Sequence, residues 1–322
     1  MLDRREFLGL GIAAAPVLLG AAPRSAAASA APVALVTADA EGHVAVVSLG
    51  SMRVVRRVAT VAGPRSIERA PGGRAVVAHA AAGAVSLLGG SPLRVRRVLR
   101  GFGAPRYTAV RPGGRLAYVS DSDHGEVAVV DIVAGRVLRR VQVGAGARHL
   151  TLRPDGAELW VALGSSAAEI AVLDVRDPQR PRLAGRVRPE FLAHDVGFSP
   201  SGRRVWVTAG REARIALYSA AGRRLVRSLG ADAAPQHVTF GRGVAYVASG
   251  DAGTLAVHAL SDAALRRRTH VAIGSYNVQH GAGRVVTPSL GGGRVTVLDR
   301  HGRVVGLVHA ARSAHDACIL AP

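Results

Sequence analysis

The chain has 322 residues and a formal charge of +20, and its 48% hydrophobic content excludes a disordered protein while supplying ample material for a core. All 42 of its cations are Arg, an excess that raises nucleic acid or an anionic surface as partners beside the simpler reading of an Arg-rich composition. One cysteine, Cys318, excludes an internal disulfide framework and any Cys-rich zinc or iron–sulfur site.

The first thirty residues read as an address. Asp3-Arg4-Arg5-Glu6-Phe7-Leu8 resembles the twin-arginine export motif; an apolar run from Leu8 to Leu19 and the small residues Ala28-Ser29-Ala30 follow. The run is short for a membrane span, and no second long apolar stretch exists. The expectation is a signal segment over 1–30 and a protein exported already folded to the periplasm or beyond, over 31–322.

From residue 33 onward one four-strand unit recurs. Its clearest copy runs from Arg148 to Val187: His149–Leu152, a Pro154-Asp-Gly turn, then Glu158–Leu163, Glu169–Val175 and Arg182–Val187. First strands are expected to begin near Ser66, Tyr107, His149, His194, His237, His280 and His315, spaced 41, 42, 45, 43, 43 and 35 residues apart. A period of roughly 40–50 residues predicts an all-β, seven-bladed β-propeller of four-stranded antiparallel blades. The count is out of phase with the chain, because Val33–Thr37 is a second strand and Ala314–Leu320 an unpartnered first one. The C-terminal strand is therefore expected to complete the N-terminal blade and close the ring.

Tyr118-Val-Ser-Asp121 followed by Val127-Ala-Val-Val-Asp131 resembles the YVTN-repeat propellers, and the likeness extends weakly over most of residues 33–320. The resemblance implies the fold and leaves the function open, since such propellers serve as scaffolds and as enzymes. The fourth strands carry much of the charge, as in Arg53, Arg56 and Arg57 or Arg266 to Arg268. Arg on an outer edge discourages edge-to-edge association, which makes nucleic acid the lesser use of these residues.

Five successive blades are expected to open their first strand with histidine: His149, His194, His237, His280 and His315. Rotational symmetry would aim the five imidazoles at the central channel at one height. Neutral imidazole is a common metal ligand, and without thiolates or a carboxylate set the donors favour copper, zinc or iron. Tyr107, Glu190 and Tyr276 are the candidate proton carriers beside such an ion, with His79 and His124 further candidates. Asp195 and Asp316, directly after ring histidines, are expected to face away from the axis. Asp121-Ser-Asp-His-Gly125 reads as a turn rather than a calcium loop. The functional expectation is an exported propeller, monomeric, that binds a transition metal in its channel and takes a small-molecule ligand there or a protein partner; enzyme activity, as a lyase, hydrolase or oxidoreductase, is left open by the sequence. The alternative is a metal-free scaffold recognising a protein, glycan or DNA.

Overall fold

The computed structural model describes residues 31–164 and 168–321; the expected signal segment, 1–30, lies outside the described residues. It contains seven four-stranded antiparallel sheets, numbered here as blades 1 to 7. Blade 1 joins the strand Ala317–Leu320 to Val33–Ala38, His43–Ser48 and Arg53–Ala59. Blades 2 to 7 then follow in sequence, their first strands being Ser66–Ala70, Pro105–Val110, Leu150–Leu152, Asp195–Phe198, Pro235–Gly241 and Gln279–Gly281. The expected closure is present: Ala317, Cys318 and Ile319 pair with Val36, Leu35 and Ala34.

Why these strands form is visible in their burial. A blade lies between two others, so its middle strands are covered on both faces and run as unbroken apolar segments such as Val127-Ala-Val-Val. Seven hydrophobic clusters result, each assembled from one pair of adjacent blades. One of them joins Val286 and Val297 of blade 7 to Val36 and Ala45 of blade 1, which seals the ring. Tyr118, Trp160, Trp206 and Tyr246 occupy the same central position in four successive blades and are essentially inaccessible. Truncating either Trp to Ala would cost about 3–5 kcal/mol.

All seven blades also share an irregularity. The pairing of third with fourth strand slips by one residue at the same place each time, as between Val46 and Val47 or Val257 and His258. Such bulges increase twist at a sheet edge. The fourth strands beyond them are exposed and bear the expected arginines, spread around the rim rather than gathered on one face.

Candidate metal centre

The strand register decides where each histidine stands. In blade 5 the N–H of His194 bonds Thr208 O, and Asp195 pairs with Thr208. In blade 4 the matching N–H is that of Arg148, bonded to Ala162 O, so His149 is the counterpart of Asp195 rather than of His194. Registering every blade on its central second-strand residue produces two adjacent tiers around the axis. The mouth tier includes His315, Arg65, Arg106, Arg148 and His194. The inner tier runs Asp316, Ser66, Tyr107, His149, Asp195, His237 and Asn277. The histidines thus lie at more than one height, contrary to the single ring expected.

Side-chain oxygens tie these tiers from blade to blade. Thr37 Oγ1 receives the N–H of Asp316 at 2.9 Å and donates to Arg65 O at 3.3 Å. Thr208 Oγ1 repeats the arrangement between Asp195 N and Gln236 O, and Ser120 Oγ between Tyr107 N and Arg148 O. The Asp316 carboxylate accepts Ile67 N–H and that of Asp195 accepts Val238 N–H, both at 3.0 Å. Asp195 and Asp316 therefore face the channel, where they line a cavity of about 210 Å³. The expectation that they point outward is corrected: they share the tier of His149 and His237.

Four successive blades contribute Tyr107, His149, His194 and His237 to one cluster. One ligand nitrogen from each of the three histidines lies within 4.8 Å of the other two. The Nε2 atoms of His149 and His237 are 2.8 Å apart, and Tyr107 Oη is 3.3 Å from His237 Nε2. The Tyr107 and His149 rings lie 3.7 Å apart, centre to centre. Asp195 Oδ2 sits 3.4 Å from His237 Nδ1, so a carboxyl stands beside the ring nitrogen that faces away from His149 and Tyr107. Behind His194 the backbone must be glycine, because a Cβ on Gly210 would stand 2.7 Å from His194 Cβ.

Electrostatics keep the three imidazoles neutral. Burial, followed by repulsion from His237 and His194, holds His149 well below the ordinary imidazole value. Burial and then His194 and His315 do the same to His237. His194 is brought down to about 3, by burial first and then by Arg148 and Arg65. Burial raises the Tyr107 hydroxyl above its usual value, and lifts Asp195 and Asp316 to about 7. Neutral imidazoles are the form that binds metal. Several polar atoms here have no partner among the described residues: His149 Nδ1, Arg148 Nε, Ser66 Oγ and Asn277 Oδ1. Buried polar groups are ordinarily satisfied by protein or by ordered water, so these atoms offer places where a water or a ligand would bond.

The remaining sequence-predicted residues go elsewhere. His315 Nδ1 bonds Arg65 O at 2.6 Å, an inter-blade tie within the mouth tier. His280 stands three residues beyond Asn277, its blade's inner-tier residue, and stacks on Tyr246 at 5.6 Å, away from the cluster. The Tyr276 hydroxyl bonds Asp251 at 2.7 Å, and exposed Glu190 pairs with Arg214 at 2.8 Å. Neither is brought to the histidines. His79 Nε2 bonds Ser86 Oγ inside blade 2. His124 lies 3.0 Å from Asp121 and 3.6 Å from Glu126, forming a second potential ligand group on the surface of blade 3. Cys318 is buried in the closing strand.

Comparison with known proteins supports the fold. No family model matches the chain, nor does any curated protein. A functionally unknown protein from Desulfotomaculum acetoxidans is structurally similar, with a TM-score of 0.79, 12% identity, and 90% of this chain and 99% of the other covered. Kuenenia stuttgartiensis hydrazine synthase matches with a TM-score of 0.70 at 16% identity, over 79% of this chain and 89% of that one. The dihydro-heme d1 dehydrogenase NirN, solved in complex with DHE, matches with a TM-score of 0.64 at 16% identity, covering 86% of this chain and 63% of the other. At these identities the likeness is one of fold.

Proposed function

We propose that the protein is an exported propeller of the YVTN-repeat type that holds one transition-metal ion, copper, zinc or iron, through His149, His194 and His237. The observation that carries this reading is three neutral imidazoles converging within 4.8 Å beside buried atoms that lack partners. Three imidazoles leave a coordination position open, and the 210 Å³ cavity adjoins it, so a small ligand could reach the ion. A metal bound there would supply Lewis acidity or a redox centre. Tyr107 would hold a proton at its hydroxyl oxygen within reach of that ligand. Two of the similar propellers bear enzyme names, which is compatible with catalysis on this fold. The twin-arginine-like segment supports export of a folded chain, and the ring closed on itself supports a monomer.

For one pair of ligands, adjusting to a metal is a small step. Nitrogens bound tetrahedrally at 2.0–2.1 Å stand about 3.3 Å apart, so the His149 and His237 rings would part by roughly half an ångström. The observed 2.8 Å is also a good N–H···N hydrogen bond, which favours, as the second reading, a metal-free binding scaffold. Elemental analysis of the exported protein, beside a His149→Ala/His237→Ala variant, separates the two. About one equivalent of a transition metal in the wild type and none in the variant is expected. Less than about a tenth of an equivalent in the wild type after metal supplementation would leave the scaffold reading standing.

A further inference from the structure

The mouth tier carries a feature that the histidine cluster does not explain. Blades 2, 3 and 4 place Arg65, Arg106 and Arg148 at one equivalent position, directly before the inner-tier residues Ser66, Tyr107 and His149. In blades 5 and 1 the same position holds His194 and His315. Arginines on three consecutive blades thus stand at one backbone position in an arc around one side of the channel, next in the ring to His194, and two of them, Arg65 and Arg106, border one recess.

These arginines differ from those of the rim. Arg148 is half-buried, has no carboxylate within ion-pairing distance among the described residues, and leaves its Nε without a partner. Arg106 uses its Nε on Ser122 Oγ at 3.2 Å, a neutral group. Arg65 reaches Asp39 only at 3.6 Å, and Asp39 also accepts from Ser313 at 2.6 Å. Between Arg65 and Arg106 lies an open recess of about 500 Å³, bordered by Asp39 and Asp123. The arc's charge is felt across the channel, since Arg65 and Arg148 both help to depress His194 and His315. Arg148 itself is lowered by burial first, and also by Arg106 and Arg65. Arg65 has one ion-paired carboxylate, but Arg106 and Arg148 have none among the described residues, so an anion that joined the three would relieve their mutual repulsion.

We propose that Arg65, Arg106 and Arg148 bind the oxyanion group, a carboxylate or a phosphate, of a small ligand and so present the rest of it to the histidine cluster. Planar guanidinium forks suit both groups, which they grip in pairs of parallel hydrogen bonds. The presentation to a metal rests on the function proposed above; the anion site itself does not.

Calorimetric titration of the metal-free protein at low salt tests it, with inorganic phosphate and malonate as separate probes for the two groups. At least one probe is expected to saturate a single site with Kd tighter than about 5 mM, and Arg148→Met should weaken it by about tenfold or more. Arg56→Met, an exposed rim control, should change it less than about twofold. If neither probe saturates below about 5 mM, or if the rim variant weakens binding as much as Arg148→Met, the arc is not an anion site. Should Arg148→Met fail to fold by circular dichroism, Arg106→Met takes its place, and the wild-type titration decides in any case. Metal content of the exported protein, measured before metal is removed for the titration, keeps the two readings apart. Metal retained without anion binding overturns the arc alone, and anion binding without metal overturns the metal centre alone.

Discussion

Among the described residues two groups of side chains bring potential metal ligands together, and they are built in opposite ways. In blade 3, where Asp121 and Glu126 are buried and His124 is exposed, every strong acceptor is already engaged. The Asp121 carboxylate takes the N–H groups of Gly103 and Ala104, each at 2.8 Å, and Glu126 is bonded by Arg140, whose guanidinium also lies 4.0 Å from Asp121. His124 completes a cluster whose carboxylates are already bonded by protein. In the channel the Nε2 atoms of His149 and His237 meet each other and Tyr107, while His149 Nδ1 has no partner among the described residues. Proximity is common to both; what separates them is that one group is bonded to carboxylates and arginine and the other to neutral rings.

This contrast can be broken by experiment. The largest effect expected is from Asp121→Ala, which strands the N–H groups of Gly103 and Ala104 and should cost about 3 kcal/mol in chemical denaturation. The same variant should leave metal content unchanged; loss of metal would reverse the assignment. Next, free metal at about 100 times its Kd should stabilise the wild type by about 2.7 kcal/mol and leave His149→Ala/His237→Ala unmoved.

A smaller effect concerns Asp316, whose folded-state value is lifted to about 7 by burial. The folded chain then binds more protons than the unfolded one between about pH 4 and pH 7, so this carboxyl lowers stability as pH rises through that window. Its slope is at most about 1.4 kcal/mol per pH unit, and denaturation of Asp316→Asn across that range should show it flattened. A slope unchanged by the substitution would mean that the carboxyl is more hydrated than its burial implies. Smallest of all, His280→Ala should cost less than about 1 kcal/mol, the loss of one stacking contact, with metal content intact.

Much of this was legible in sequence. The turn residues and the central aromatics Tyr118, Trp160, Trp206 and Tyr246 mark the blades because sheets covered on both faces demand continuous apolar strands. The convergence of Tyr107, His149, His194 and His237 on the channel was legible from their places in the repeat. The two tiers were obscured by aligning blades on histidine. Ser66, Tyr107, His149 and Asp195 each stand five residues before the proline of their turn, whereas His194 stands six before Pro200. That count, taken from the turn, would have placed Asp195 beside His149 and shown the arginines in a common position. In blades 6 and 7 the turns are Gly241-Arg-Gly and Gly281-Ala-Gly, so no proline corrects the register, and His280 passes for a channel residue. A one-residue slip moves a side chain to another face, and composition cannot reveal it.

The joint in blade 1 has a consequence in time. Thr37 and Asp316, bonded side chain to backbone, are 279 residues apart in the chain. At ribosomal speeds of about 5–20 residues per second, roughly 15 s to 1 min separates the synthesis of those two positions. Through that interval the strand Val33–Ala38 has an inner edge with no partner, and its sequence, Val-Ala-Leu-Val-Thr-Ala, is apolar. The nascent protein therefore passes through a stage in which it can accept a strand from another chain. What ends this vulnerability is the arrival of Ala317–Leu320.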